Sequence, residues 1–368
     1  MLIDTINVYR VAMPLVYPFR TAFGNDAVIE SVLVKISSNG IVGWGESSPW
    51  KAPAYSSEFA AAAFMLLRDF IAPLVMRKDI ESPEQLLQIL SCIKGNYFAK
   101  AAIDLAWWDL YSKLQKKPLW KVLGGTRDKV EVGADFGIME SIDKLLETIE
   151  ISIKAGFKRV KLKYRPGWEI DMVSSVRNAF PKLTMHIDCN SAYTLSDIEM
   201  FKKLDKYELS MIEQPLMHDD LVDHAVLANR IATPICLDES ITSIDKARKA
   251  VQLKSCRWIN IKPGRVGGIT NAKAIHDFCN NEGVPCWIGG MLESSIGSSA
   301  CIALATLPNI RYPSDIFPTK RFYEKDLGIP EILLSGPSEI AAPNVAGIGA
   351  AADESQLKKY TIEAATLP

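Results

Sequence analysis

Alternating apolar positions open the chain. Residues 2–13, 28–36 and 41–46 place hydrophobic side chains at every second position, the period of a half-buried strand, and predict a three-stranded meander. Gly24, Asn25 and Asp26 supply its first turn, and Ser38, Asn39 and Gly40 its second. The period then lengthens to that of a helix over residues 57–73, 83–93 and 97–115. The last of these carries Ala101, Leu105, Trp108 and Ser112 on one face, and Gly124-Gly125 ends the block. Trp107-Trp108 and the apolar run 59–67 read as core faces.

From Val130 the pattern repeats. Short β-branched runs at 130–138, 160–164, 183–190, 210–215, 234–240, 258–264, 285–290 and 310–316 alternate with amphipathic helical runs. The polar residues near successive strand ends are Lys163, Asp188, Glu213, Asp238 and Lys262, at steps of 25, 25, 25 and 24 residues. A strand–helix unit of that length, repeated about eight times, predicts a (β/α)8 barrel of the TIM type. A doubly wound sheet would also alternate, but it requires a glycine-rich phosphate turn that Gly133 and Gly137 do not form. The α/β fold expected is therefore a modified (β/α)8 barrel over 126–320, preceded by an α+β domain over 1–125. A final segment, 321–368, is expected to return to that first domain, with a short strand at 331–335 after Pro330. No low-complexity linker separates the parts, which predicts one rigid body.

The 368 residues suit about two domains. The balance of 42 Lys+Arg against 43 Asp+Glu gives no basic field, which argues against nucleic acid or an anionic membrane as partner. The run 59–67 is cut by Arg68, far short of the roughly 20 residues of a spanning helix. No basic-then-apolar segment precedes Asp4, so a cytoplasmic protein is expected. Seven cysteines without a close CxxC pair read as buried reduced thiols.

In such a barrel the strand ends face the active site. Asp188, Glu213 and Asp238 would then converge, with Asn190 and Glu239 beside them. Three carboxylates so close repel one another and raise their own pKa values unless a cation sits among them. An all-oxygen set without His or Cys suits a hard divalent ion, Mg²⁺ with Mn²⁺ as the alternative. The bland alternative is a set of solvated strand ends in ordinary salt bridges. Lys163 and Lys262 flank the triad, and Lys161 adds positive charge beside Lys163. A lysine takes up a proton only when neutral, so the pKa of such a base is expected to fall.

Lys161-Leu162-Lys163, Asp188-Cys189-Asn190, Ile212-Glu213-Gln214-Pro215, Asp238-Glu239-Ser240 and Asn260-Ile261-Lys262 together resemble the enolase superfamily, muconate-lactonizing-enzyme subgroup. The resemblance implies metal ligands at Asp188, Glu213 and Asp238 and an acid/base pair at Lys163 and Lys262. The mandelate-racemase branch would place a His at the seventh strand, and Pro285–Gly290 has none. Pro263-Gly264-Arg265-Val266-Gly267-Gly268, the stretch from Gly289 through Met291 and Glu293 to Gly297, and the segment from Phe19 and Arg20 to Phe23 and Gly24 are similar to the o-succinylbenzoate synthase / N-acylamino acid racemase family. That likeness implies abstraction of the proton α to a carboxylate. The products would be o-succinylbenzoate for menaquinone synthesis, a racemised N-acyl amino acid, or both. A small carboxylate substrate and a homo-oligomer are expected.

A dipeptide epimerase or muconate-type cycloisomerase would use the same lysines. The former would show an Asp-x-Asp pair at the eighth strand, where residues 289–298 offer only Glu293. A non-catalytic barrel would be favoured had any carboxylate of the triad been missing. Asp135 replaces the small hydroxyl residue expected at the first strand. It either lines the substrate pocket and favours cationic groups or pairs with Lys161. His186, His218, His224 and His276 share no spacing and read as structural. Glu46 reads as a strand-end salt bridge or as a contact at the mouth of the site.

Overall fold

The computed structural model describes residues 1–367 except 22 and 23. Strands Thr5–Thr21, Gly24–Ser38 and Ile41–Ser47 form the antiparallel meander. Thr361–Leu367 adds a fourth strand on the outer edge, antiparallel to the first. Their inward residues, among them Ile6, Val8, Val34 and Ile36, are fully buried. Gly24, Asn25 and Asp26 are not a turn: they pair with Thr21, Arg20 and Phe19, because both strands run longer than their apolar alternation. The helix Tyr97–Leu114 lies directly on the third strand. Two glycines permit that approach, since a Cβ on Gly43 would stand 2.3 Å from the Ala106 carbonyl and one on Gly45 2.2 Å from that of Ala102. The expected helix over 57–73 is Ala60–Leu66, a π-helical turn at Leu67–Ile71, and Ala72–Val75. Pro73 lacks the N–H that would close the regular ladder, and the wider turn accommodates it.

Seven parallel strands follow in sequential order: Ala134–Phe136, Arg159–Lys163, Thr184–Asp188, Ile212–Glu213, Ile235–Leu237, Trp258–Ile261 and Cys286–Ile288. Residues 310–316 bridge to the last of these strands through Ile310 and Cys286, and to the residues just before the first through Ser314 and Val132. The barrel therefore curls shut on an eighth segment held by few ladder bonds. The run 130–138 is split: Lys129–Glu131 pairs with Glu339–Ala341 outside the barrel. The break falls at Gly133, where the Arg159 guanidinium crosses so closely that a Cβ would lie 2.1 Å from it. Residues 331–335 are not a strand. Leu333 is 63% exposed, and the Ile332 amide and carbonyl are taken by Thr319. All seven cysteines are free, six buried and Cys92 exposed. No helix among the described residues is long and apolar enough to cross a membrane.

Buried carboxylates join the two domains at helix N-termini. Glu46, on the third strand of the first sheet, accepts from Ser294 N (3.1 Å), Ser294 Oγ (2.5 Å) and Gly297 N (3.0 Å) at the start of the barrel helix Ser295–Ala305. Asp104 accepts from Thr270 Oγ1 (2.5 Å) and N (3.1 Å) at the start of Ile269–Asn281. Both complete amides that a helix leaves unpaired and sit at the positive end of its dipole. Glu46 is thus neither a salt bridge nor a contact at the mouth.

Burial pushes Glu46 and Asp104 each up to about 7, against the pull of these hydrogen bonds. The folded state holds these protons more tightly than the unfolded chain. Their stabilising contribution is therefore complete below the ordinary carboxylate range and is lost as pH rises through about 7. Glu46→Gln removes one such group. The difference in melting temperature between wild type and Glu46→Gln should move in the variant's favour as pH is raised from acid to alkaline. A difference that does not change with pH contradicts this.

Candidate active site

Parallel register sets the Cα of Lys163 opposite Asp188 and that of Asp188 opposite Glu213. Asp238 follows Leu237 at the end of the next strand, and Lys262 follows Ile261 on the one after. Five consecutive strand ends therefore present lysine, three carboxylates and lysine along one rim. Lys163 Nζ lies 2.7 Å from Asp188 Oδ2 and 3.0 Å from Asn190 Oδ1. Lys262 Nζ lies 2.8 Å from Asp238 Oδ2 and 3.2 Å from the Tyr55 hydroxyl. Lys161, two residues before Lys163 on the same strand face, lies 2.9 Å from both Asp188 Oδ2 and Glu213 Oε2, and 3.3 Å from Asp315 Oδ2. Arg265 ion-pairs with Asp238.

Burial alone would raise the Asp188 carboxyl, but Lys161 and Lys163 hold it well below the usual range. At Glu213 burial and Asp188 push upward, and Lys161 and His186 outweigh them. Burial and the Asp188 charge push Glu239 up to about 7. Burial works against the Lys262 ammonium, yet Tyr55, Glu239 and Glu213 hold it above the ordinary lysine value. The expectation of a lowered lysine pKa is not met at Lys262, because that expectation counted a divalent ion and this balance is set by Tyr55 and the carboxylates against burial and Lys161.

Among the described residues no three of these groups are drawn into a formed metal cluster, since their oxygens face ammonium and guanidinium groups instead. The donor chemistry still fits a hard divalent ion: three carboxylates on adjacent strands, oxygen only. Glu213 Oε2 meets only the Lys161 ammonium and the His186 ring, and Glu239 Oε2 is buried without a hydrogen-bond partner.

Asn190 bridges two sequence-selected residues, accepting from Lys163 and donating to Glu239 Oε1 at 3.1 Å. Gly289 gives Lys262 its path, because a Cβ there would stand 2.8 Å from Lys262 Cε. Met291 lines the lysine pocket, and its carbonyl accepts from Trp50 Nε1 at 3.0 Å. Asp135 lines the same pocket with Oδ1 unpartnered. It makes no ion pair with Lys161, whose partners are Asp188, Glu213 and Asp315. Glu293 and Arg20 are not brought to this pocket. Glu293 accepts from Met291 N at 2.7 Å within its own loop, and Arg20 lines the neighbouring cleft. Phe23 lies outside the described residues. The space between the lysines is only about 30 Å³, room for one or two waters.

Four participants escape the sequence reading. Asp315 ends the eighth segment, and extending the strand-end count by two strands would have found it. His186 shares a strand face with Asp188. Its Nε2 is 3.3 Å from Glu213 Oε2 and its Nδ1 3.1 Å from the Tyr312 hydroxyl, while burial lowers its pKa and favours the neutral ring. Arg265 sits in a motif that gave it no role. Tyr55, from a loop of the first domain, has no periodic signal. The eighth segment is 310–316, not 289–298, and it carries the single acid Asp315 rather than an Asp-x-Asp pair.

Comparison with known proteins adds an independent line. Residues 3–124 match the family described as mandelate racemase / muconate lactonizing enzyme, N-terminal domain, and residues 144–356 match the family described as enolase C-terminal domain-like. The chain is 44% identical to an o-succinylbenzoate synthase of Geobacillus kaustophilus, over 98% of this chain and 96% of that one. It is 39% identical to an N-succinylamino acid racemase of Thermus thermophilus, over 95% and 94%. A crystal structure of an enolase-superfamily member from Listeria innocua superposes with a TM-score of 0.96 at 36% identity, covering 100% of this chain and 99% of the other. The chain is an enzyme, and it belongs to the enolase superfamily.

Proposed function

We propose that this enzyme removes the proton α to a carboxylate, acting as an o-succinylbenzoate synthase, an N-succinylamino acid racemase, or both. The observation that carries the reading is the pair of lysines at opposite ends of the carboxylate row, Lys163 against Asp188 at 2.7 Å and Lys262 against Asp238 at 2.8 Å. The similarity to proteins bearing both names supports it. Mg²⁺, with Mn²⁺ as the alternative, would be held by Asp188, Glu213 and Asp238 and would neutralise the substrate carboxylate as negative charge builds on it. A cytoplasmic setting and a small carboxylate substrate go with this reading.

One lysine, having given up its own proton, takes the proton from Cα, and the C–H electron pair passes into the adjoining carboxylate. When the substrate carries a β-hydroxyl, that electron pair returns to expel it, with a proton from a lysine ammonium, as water. When it carries none, the opposite lysine returns a proton to the other face and the centre inverts. Lys161 stays an ammonium throughout. Burial works against its charge, but Asp188, Glu213 and Asp315 hold its pKa well above the ordinary lysine value. Asn190 and Tyr55 orient Lys163 and Lys262 through the bonds described above.

Purified enzyme assayed with N-succinyl amino acids and with the dehydration substrate tests the reading. Glu213→Gln should abolish turnover while circular dichroism shows the fold retained, and excess chelator should silence the wild type. Full activity in chelator would refute the metal requirement. Lys163→Ala and Lys262→Ala should each eliminate racemisation. In D₂O each variant should still exchange the α-proton of one enantiomer only, a different one for each variant. Wild-type racemisation by either would show that the two lysines do not serve opposite faces.

A further inference from the structure

Beside the lysine pocket a wider cleft of about 700 Å³ opens at the end of the first barrel strand. Phe19 and Asp135 line both spaces, so the two adjoin across those side chains. Arg321 enters the cleft from the short turn Thr319–Arg321, just past the eighth barrel segment. Its guanidinium lies 5.7, 5.1 and 5.7 Å from the ring centres of Phe136, Phe317 and Phe322. Nη2 donates to the backbone carbonyl of Asp135. The other charged side chains of the cleft wall apart from Asp135, namely Arg20, Glu140 and Lys144, are all exposed.

Arg159 and Arg265 are buried near this end of the barrel and Arg321 is half-buried, and the three differ in one respect. Arg159 pairs with Asp315 at 2.8 Å, and Arg265 pairs with Asp238. Arg321 makes no ion pair among the described residues, and Asp135 and Asp315 act on it only from a distance. A guanidinium taken out of water without a counter-ion is costly, and a carboxylate met by its planar fork is the group that best relieves that cost. The cost is kept in this fold at a place that adjoins the reacting lysines. The aromatic rings fix the guanidinium while leaving its remaining N–H groups uncommitted to any acid.

We propose that Arg321 binds the terminal carboxylate of the substrate's acyl tail and makes the enzyme select dicarboxylate substrates over analogues with an uncharged tail. This rests on the α-proton reading above, in which the first carboxylate lies at the Asp188–Glu213–Asp238 row; Arg321 receives the second. The unpartnered Asp135 oxygen does not forbid an anion here. Lys163 and Lys161 both act to offset its charge, and Arg321 adds a third cation. A cationic substrate group at the same place would face those three cations with Asp135 as the one nearby acid not already ion-paired, since Asp315 and Asp188 are held by Arg159, Lys161 and Lys163.

The test compares kcat/KM for N-succinyl-Phe and N-acetyl-Phe, which share the reacting carbon and differ in the tail anion. Wild type should prefer the succinyl substrate. In Arg321→Gln its kcat/KM should fall about 10- to 150-fold, the worth of a charge-assisted hydrogen bond, chiefly through KM, while N-acetyl-Phe is unaffected. Arg321→Lys, which keeps the charge and loses the fork, should fall between. Methylguanidine added to Arg321→Ala should restore turnover of the succinyl substrate alone. Parallel losses on both substrates, or none on either, overturn the assignment, the former leaving Arg321 as a strut for the first strand. The dehydration substrate, with its own succinyl tail, is the second probe. Unmutated enzyme that turns over none of the three compounds overturns the α-proton reading and the tail site together, and that failure is distinguishable because it appears without any substitution.

Discussion

Like charges at adjacent strand ends are the constraint around which this molecule is arranged. Two carboxylates 4 Å apart repel by about 4 kcal/mol at an effective dielectric near 20, and parallel register leaves Asp188, Glu213 and Asp238 on neighbouring strands with no freedom to separate. Every cation nearby answers that repulsion. Lys161 bridges Asp188 and Glu213, Lys163 meets the same Asp188 oxygen, and Lys262 and Arg265 share Asp238. The two lysines of one strand have different fates because of where the barrel closes. Lys161 is also tied to Asp315 on the eighth segment and lies 5.3 Å from the Trp287 ring centre. Lys163 ends the strand, with Asn190 and the ring of Phe19 beside it. The first is a fixed counter-ion, and the second is placed to meet a ligand.

The first domain completes this site rather than merely covering it. Tyr55 reaches Lys262 and Arg265, and Trp50 holds the Met291 carbonyl. Those contacts need the loop 48–58 held in register with the barrel to within a hydrogen bond. Glu46, immediately before it, is fixed to the N-terminus of a barrel helix, and Glu58, at its far end, accepts from Tyr97 N and Phe98 N at 2.6 and 2.9 Å. Carboxylates desolvated to this degree are expensive as charges, which is why burial moves both toward neutrality near pH 7. Glu46 and Asp104, the acids that join the domains, therefore make that junction sensitive to pH.

Much of this was legible because the barrel repeats. A 25-residue step carries a polar residue to each strand end, and period and chemistry coincide in Lys163, Asp188, Glu213, Asp238 and Lys262. The repeat fails where packing rather than period decides. Arg159 crossing Gly133 breaks the first strand, and Leu333 alternates like a strand residue yet faces solvent. Gly24, Asn25 and Asp26 have turn chemistry but are drawn into a hairpin longer than its apolar pattern. Tyr55 acts across 207 residues of chain to reach Lys262, and no local pattern encodes such a contact. Glu46 was visible as an acid at a strand end, but its partner is a helix terminus near residue 295, known only once the domains are docked.

The division between what repeats and what does not also separates reaction from substrate. The carboxylate row and its flanking lysines sit on strand ends whose position the register dictates, so on the proposed reading the proton-moving part is built into the barrel. The walls of the adjoining spaces come from elsewhere: Phe19 from the first sheet, Met291 and Leu292 from the loop after the seventh strand, Phe317 and Arg321 from the turns after the eighth. The segments after the seventh and eighth strands carry few ladder bonds and can change without disturbing the register beneath them. Whether a centre that has lost its proton regains one or expels a hydroxyl depends on what the bound molecule carries and how it lies between the lysines. In the proposed reactions that orientation would be set by the non-repeating wall, so that two outcomes could share one row of five strand-end residues.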